Sequence, residues 1–393
     1  MNRDLEIDLV KRALGQASTS PTAADAGPSR RPVADYFDPQ RFTEEQQALF
    51  RSYPVVVGHT AQLSEPDSWF THDHSGVPIL VTRAADGELR AFLNVCRHRG
   101  AKAAAQPCGQ SRRLTCRFHG WTYDLEGRLR GLPQPEAFGE ADRSGIGLAS
   151  LPIAERHGLI FVRPQADGGP IDLDTVLGGV STELEDHRSE RHVLATRSWE
   201  VDCNWKVLLD NFLEMYHVPL LHGSNIGPLF RTELCHFEPI GHNGRRIDPR
   251  TSFASLAALP SDSWRLRDHA LLTYFIFPNL QTFWTRDYFS WLSVWPIAPD
   301  RSVCSQLIAA DWTVAEEGRQ AHLQANLDLF DLTLSEDFGV SEEVQRGLAC
   351  GANDTVVFGR HEAEAAAVHT NIDQALARWR RGVPADAWPA PQG

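Results

Sequence analysis

Two short stretches in the first half of the chain, Cys96-Arg97-His98 and Cys116-Arg117-Phe118-His119, each offer one sulfur and one imidazole from a tight loop, with residues 99–115 between them. Two cysteines cannot complete a four-thiolate iron–sulfur cluster. Two Cys with two His can hold a 2Fe-2S cluster that has sulfur ligands on one iron and nitrogen ligands on the other. Imidazoles leave the cluster less negative than thiolates do, raising its potential to roughly −150 to +300 mV and suiting it to take electrons from a flavin or ferredoxin partner.

The competing chemistry is a structural zinc site, in which a C-x2-4-C pair normally precedes the histidines. Here the two residue types are interleaved, and Gly100, Gly120 and the aromatic run 116–123 (CRFHGWTY) supply sharp turns and cover. Ligand type and order therefore favour the mixed-ligand, Rieske arrangement, with Cys96, His98, Cys116 and His119 as its ligands. Cys108, in the intervening loop, is expected to be a small packed residue.

A second constellation lies at Asp210-Asn211-Phe212-Leu213-Glu214-Met215-Tyr216-His217, followed by Val218-Pro219-Leu220-Leu221-His222. On a helix, Asp210, Glu214 and His217 fall within about 60° of one another. His222 lies about 140° beyond His217 and joins that face only where the helix breaks; Pro219 is expected to supply the break. Two His and a carboxylate on one side of a metal, with the opposite positions open, form the facial triad of non-haem Fe(II) oxygenases. A His pair on an apolar helix is more often structural. The electron carrier upstream shifts the balance, because its electrons need a destination.

The elements that must position these residues divide the chain. Residues 17–32 are Ser, Thr, Ala, Pro, Gly and Arg with almost no bulky apolar side chain, which reads as a linker behind a short N-terminal helix. Short β-rich runs at 55–57, 77–81, 89–95 and 158–162 predict an all-β module. After residue 198 come a helix over 205–216, strands at 271–276, 281–284 and 288–295, and a helix over 314–334, so the whole is α+β. The expected units are 1–40 (helix and linker), 41–165 (cluster domain) and 166–393 (catalytic domain).

Together the motifs resemble the large (alpha) subunit of Rieske non-haem iron oxygenases, over about 36–376; the matching stretches are 94–100 (NVCRHRG), 116–123, 204–222 and 335–348. The resemblance implies an N-terminal Rieske domain, a C-terminal helix-grip (START-like) domain with an antiparallel sheet and mononuclear Fe(II), and a head-to-tail homotrimer. It also implies NAD(P)H electrons delivered by a separate reductase or ferredoxin, with O2 and a small molecule as substrates. It places Asp337 as the third iron ligand beside His217 and His222, where the residues alone leave Glu336 and Asp331 open. It further implies that Glu214 links His217 to His119 of a neighbouring subunit, with Asp210 and Asn211 in the same catalytic stretch. Glu214 stands where ring-hydroxylating dioxygenases usually have Asp and is similar to the Glu of choline-oxidising members, and Asp210 replaces the commoner Glu.

Nine aromatic residues between Tyr274 and Trp295 can be core or pocket wall. The first expectation for substrate is an apolar or aromatic small molecule to be mono- or dioxygenated or demethylated. A quaternary ammonium held by cation–π contact is the second. No particular anion clamp stands out among scattered Arg residues. A pure electron carrier would leave the His217/His222/Asp337 set idle, and counting iron separates it from an oxygenase.

Composition closes off other classes. The chain has 393 residues, enough for about two or three domains. Its 38 Lys+Arg against 51 Asp+Glu give a net charge of −13, which disfavours nucleic acid and anionic membranes as partners. The first ten residues lack a secretory pattern, and seven thinly spread cysteines are no disulfide framework, so a cytoplasmic protein is expected.

Overall fold

The computed structural model describes residues 3–15, 27–138, 145–185 and 192–383. Its first unit is all-β. A five-stranded antiparallel sheet runs in the order Ser150–Leu151, Leu89–Leu93, Ile79–Arg83, Ser68–His72, Cys108–Gln110. Beside it lie two three-stranded sheets, Ile153–Arg156/Leu159–Val162/Val55–His59 and Arg113–Thr115/Thr122–Asp124/Leu129–Gly131. Trp69, Phe92, Leu114, Trp121 and Tyr123 form a small core here with Cys96 and Cys116. Cys108 is exposed on its edge strand, not packed as expected, because its sheet neighbour lies on one side only.

The second unit is a seven-stranded antiparallel sheet, in the order His192–Val201, Arg301–Ala310, Phe289–Ala298, Leu280–Trp284, Ala270–Ile276, Asn243–Pro249, His236–Ile240. The helix Arg319–Ala349 packs against the short helix Trp205–Phe212 and the strand His192–Val201, and Ala363–Arg380 covers the other end. This helix-on-sheet layering is the expected α+β class. The long helix was expected at 314–334; it starts after Gly318 and runs on as one element through the late acidic stretch.

The N-terminal segment does not stand apart. Of the stretch read as a linker, 17–26 lie outside the described residues, whereas Ser29–Pro32 form a strand paired with Thr355–Phe358. The boundary drawn at residue 41 falls inside the helix Pro39–Gln47. On that helix Glu45 is fully buried and accepts from Lys206 Nζ at 2.7 Å and Trp205 Nε1 at 2.9 Å, fastening residues 39–47 to the second unit. Phe50 then packs edge-on against Trp205 at 5.2 Å. Apolar burial and a desolvated ion pair thus decide the attachment, and neither is readable from local composition. Among the described residues, no helix is long and apolar enough to cross a membrane.

Candidate metal centres

The first pair of loops sits at one end of the all-β unit. Each is closed by backbone bonds: Gly100 N–H donates to Cys96 O at 3.0 Å and Gly120 N–H to Cys116 O at 2.9 Å. Both glycines have positive φ, +81° and +72°, a conformation that costs other residues energy. Cys96 and Cys116 are buried and their thiols adjoin one another. The histidines form the outer edge: the rings of His98 and His119 lie 4.5 Å apart, Trp121 stacks on His98 at 5.0 Å, and His119 is exposed.

Several details suit a mixed-ligand cluster. His98 Nδ1 is buried without a hydrogen-bond partner, a costly state for a ring nitrogen unless a ligand takes it. Tyr123 Oη accepts from Arg97 N–H at 3.0 Å, leaving its proton to donate to Cys96 Sγ at 3.3 Å. Burial first, and then this bond, raise the Tyr123 hydroxyl, so it stays a donor toward sulfur. Such outer donors orient and tune thiolate ligands.

The second group assembles from three elements. Asn204 caps the helix Trp205–Phe212 by accepting from Lys206 N–H at 3.0 Å. The helix was expected to continue to residue 216, but stops at Phe212. Glu214 accepts the backbone N–H groups of Tyr216 and His217, diverting those donors from the helix. Pro219 does not make the break; it lies in the first turn of the next helix, Val218–Leu221, where its missing N–H costs nothing. Asp337 enters from the middle of the helix Arg319–Ala349.

One ligand atom each from His217, His222 and Asp337 lie within 4.8 Å of one another. Asp337 Oδ1 is 3.0 Å from His222 Nε2 and 3.5 Å from His217 Nε2. The far nitrogens are held by other carboxylates: His217 Nδ1 by Glu214, and His222 Nδ1 by Glu336 at 2.6 Å, which also accepts from Asn225 Nδ2 at 2.7 Å. These acceptors select the Nδ1–H tautomer and leave both Nε2 lone pairs toward Asp337. Burial opposes a charge on His222, but its bonds to Asp337 and Glu336 raise it, so protons compete for this site. Two imidazoles and one carboxylate at this spacing fit a divalent iron.

Asp331 is exposed and paired with Arg197 at 2.6 Å, away from this group. Asn211 donates to Ser341 Oγ at 2.7 Å, and Ser341 in turn donates to Asp337 O at 2.7 Å. Asp210 departs from the shared face expected for it. Once the helix ends at Phe212 the geometry is lost, and Asp210 accepts instead from Tyr36 Oη at 2.7 Å and meets His369 Nε2 at 2.9 Å.

Asn211, Glu214, His217, His222 and Asp337 line a cavity of about 220 Å³. Its wall is mainly apolar, with Leu229, Leu271, Leu292 and Leu329. Of the nine aromatics singled out in the sequence, Phe283 and Tyr288 line it, while Tyr274, Phe275, Phe277, Trp284, Phe289, Trp291 and Trp295 are buried in the core. Phe212, Phe230 and Phe330 also line it and were missed, as were Arg246, Asp248 and Arg250. Arg246 and Asp248 had a signal: charged residues at alternate positions of one strand share a face.

Residues 53–152 match the family described as the Rieske 2Fe-2S domain, and residues 185–378 match the ring hydroxylating alpha subunit catalytic domain. The chain belongs to the Rieske non-haem iron oxygenase alpha subunits. It is 28% identical to a chloroplastic choline monooxygenase of Beta vulgaris over 332 residues, 81% of this chain and 70% of that protein. It is 32% identical to the biphenyl 2,3-dioxygenase alpha subunit of Rhodococcus jostii over 190 residues, 46% of this chain and 41% of that protein. The crystal structure of the quaternary ammonium Rieske monooxygenase CntA superposes with a TM-score of 0.77 at 21% identity, covering 91% of this chain and 99% of CntA. This oxygenase is therefore an oxidoreductase whose cofactors are a Rieske 2Fe-2S cluster and a mononuclear iron.

Proposed function

We propose that the chain oxygenates a small molecule with an apolar or aromatic body, using O2 and electrons that a separate NAD(P)H-dependent reductase, directly or through a ferredoxin, delivers to Cys96, His98, Cys116 and His119. The observation that carries this reading is the mainly apolar cavity whose wall includes His217, His222 and Asp337. Bound at those residues, iron supplies the activation of O2, and the cluster supplies single electrons. Glu214 and Glu336 hold the two imidazoles in place, Asn211 steadies the Asp337 turn through Ser341, and the leucines and phenylalanines exclude water from the reacting carbon.

A quaternary ammonium substrate is the second reading. Asp248 Oδ2 is buried without a partner, and Phe230, Phe283 and Tyr288 offer ring faces for a cation. The choline and CntA relatives are named for such substrates. The working assembly is a cytoplasmic homotrimer, in which Glu214 bridges His217 to His119 of the next subunit. Its test is three irons per chain, then a reductase-coupled substrate screen read by mass spectrometry. Addition of one or two oxygens, or loss of a methyl group, supports the reading. Two irons and no product would reduce the chain to an electron carrier.

A further inference from the structure

Arg246, Asp248 and Arg250 occupy alternate positions of one extended stretch and line the same cavity as the iron-binding trio. Arg250 keeps the alternation beyond the strand end because its backbone stays extended, at φ −77° and ψ 164°, bridged to Phe230. The three residues are not in the same state. Arg246 is committed: Nε donates to Asp248 Oδ1 at 2.8 Å, one terminal nitrogen donates to Glu364, and both approach Phe212 O at 3.3 Å. Its charge is matched by Asp248 and Glu364, and burial pushes the latter carboxyl up to about 7.

Arg250 has no such partners. Its Nε is shielded from solvent without a hydrogen bond, and no carboxylate pairs with it among the described residues. The Phe230 ring face lies 5.9 Å from its guanidinium carbon, a contact that supplies no hydrogen-bond acceptor. A guanidinium with unfilled donors in a mainly apolar cavity is unfavourable alone, and a planar oxyanion satisfies it through its fork of parallel N–H groups. One unpaired cation matches one negative charge. A phosphate dianion would carry a second charge toward Asp248 on the same wall, so a carboxylate is the better fit.

We propose that Arg250 is the specificity-determining residue of the cavity and that the substrate carries a carboxylate which this guanidinium holds. The proposal rests on the oxygenase reading for its word substrate, and narrows it to small organic acids, whether their remaining part is an aromatic ring or an ammonium group. An acid anchored at Arg250 also explains how a cavity of leucines and phenylalanines fixes the orientation of a small molecule before the reaction.

The test is isothermal titration calorimetry on the holoenzyme with two matched pairs, benzoate against benzyl alcohol and trimethylglycine against choline. The expected result is that at least one acid binds tenfold or more tightly than its counterpart. Arg250→Gln should weaken that acid by roughly ten- to a hundredfold and leave the counterpart unchanged, as loss of a charged hydrogen bond requires. Arg250→Lys should keep part of the preference, and cluster absorption and circular dichroism report whether each variant is folded. If neither acid is preferred, or the preference survives Arg250→Gln, the proposal is overturned. Oxygen incorporation is measured separately: an acid that binds through Arg250 yet is never oxygenated would sink the oxygenase reading and leave the clamp standing.

Discussion

At the scale of single residues, the two late carboxylates Glu336 and Asp337 are neighbours in sequence and opposite in position. Asp337 approaches the Nε2 atoms of both histidines, whereas Glu336 holds the far nitrogen of one. Asp337→Ala is therefore expected to lose the mononuclear iron outright. Glu336→Gln keeps the size and an acceptor for His222, and should loosen iron by roughly ten- to a hundredfold, the usual penalty for disturbing an outer partner. Iron per chain after dialysis against a graded chelator distinguishes them, and equal retention by both variants would contradict the assignment. As candidates, the cluster and iron ligands were legible because metal chemistry demands particular residue types at close spacing. Arg250 was not, because what sets it apart from other arginines is the lack of a partner, and partners belong to the folded state.

At the scale of elements, the helix Pro39–Gln47 is tied to Trp205–Phe212 by Glu45 and Lys206, which are 0% and 1% exposed. Burial lowers the Lys206 ammonium and Glu45 opposes that, so removing the carboxylate strands a buried charge. Glu45→Ala should destabilise the protein by about 3–5 kcal/mol, while the pair Glu45→Leu with Lys206→Met should recover most of the loss. Urea denaturation of the unsubstituted protein and the two variants checks both. Composition misses this attachment because it describes what a segment can bury alone, whereas residues 29–32 pair with 355–358 and Glu45 with Trp205 and Lys206. The sheet strands Asn243–Pro249 and Arg301–Ala310 escaped the sequence reading for a related reason. In the first of these, Arg245 and Arg246 break the apolar pattern, and are tolerated inside because Glu238 faces Arg245 from the neighbouring strand while Glu183 and Glu364 arrive from distant segments.

At the scale of the whole molecule, the β unit meets the large sheet through histidines. His59 packs against Phe289 and Trp291, with ring centroids 6.3 and 6.2 Å away, and His72 packs against Trp295 at 4.6 Å. Burial lowers His59 from the usual 6.5 to about 4. Between those values the unfolded chain binds the proton and the folded one does not. Stability from this residue is therefore present above pH 6.5 and lost as the pH falls toward 4, by about 3 kcal/mol. His59→Gln, which retains an acceptor for Ala61 N–H, should flatten the fall in melting temperature over that window; an unchanged slope would acquit His59. Between subunits, the proposed link within the proposed trimer is Glu214. Glu214→Gln should leave both metals and the trimer in place yet cut single-turnover product formation, and a normal product yield with normal cluster reoxidation would remove it from the path.

The pairing of Ser29–Pro32 with Thr355–Phe358 sets a timetable for the nascent chain. Arg30 and its side-chain partner Thr355 are 325 residues apart, so on a ribosome adding roughly 5–20 residues per second the early segment waits on the order of tens of seconds for its mate. The β unit, complete by residue 162 and with a small core of its own, can close in that interval. Residues 29–32 then wait longest for their partner, whereas Glu45 can meet Trp205 and Lys206 as soon as those residues have emerged. A chain stopped at residue 350 should therefore take up its cluster while residues 29–32 stay open to protease, and full protection of that segment in the shortened chain would show that its far partner is dispensable.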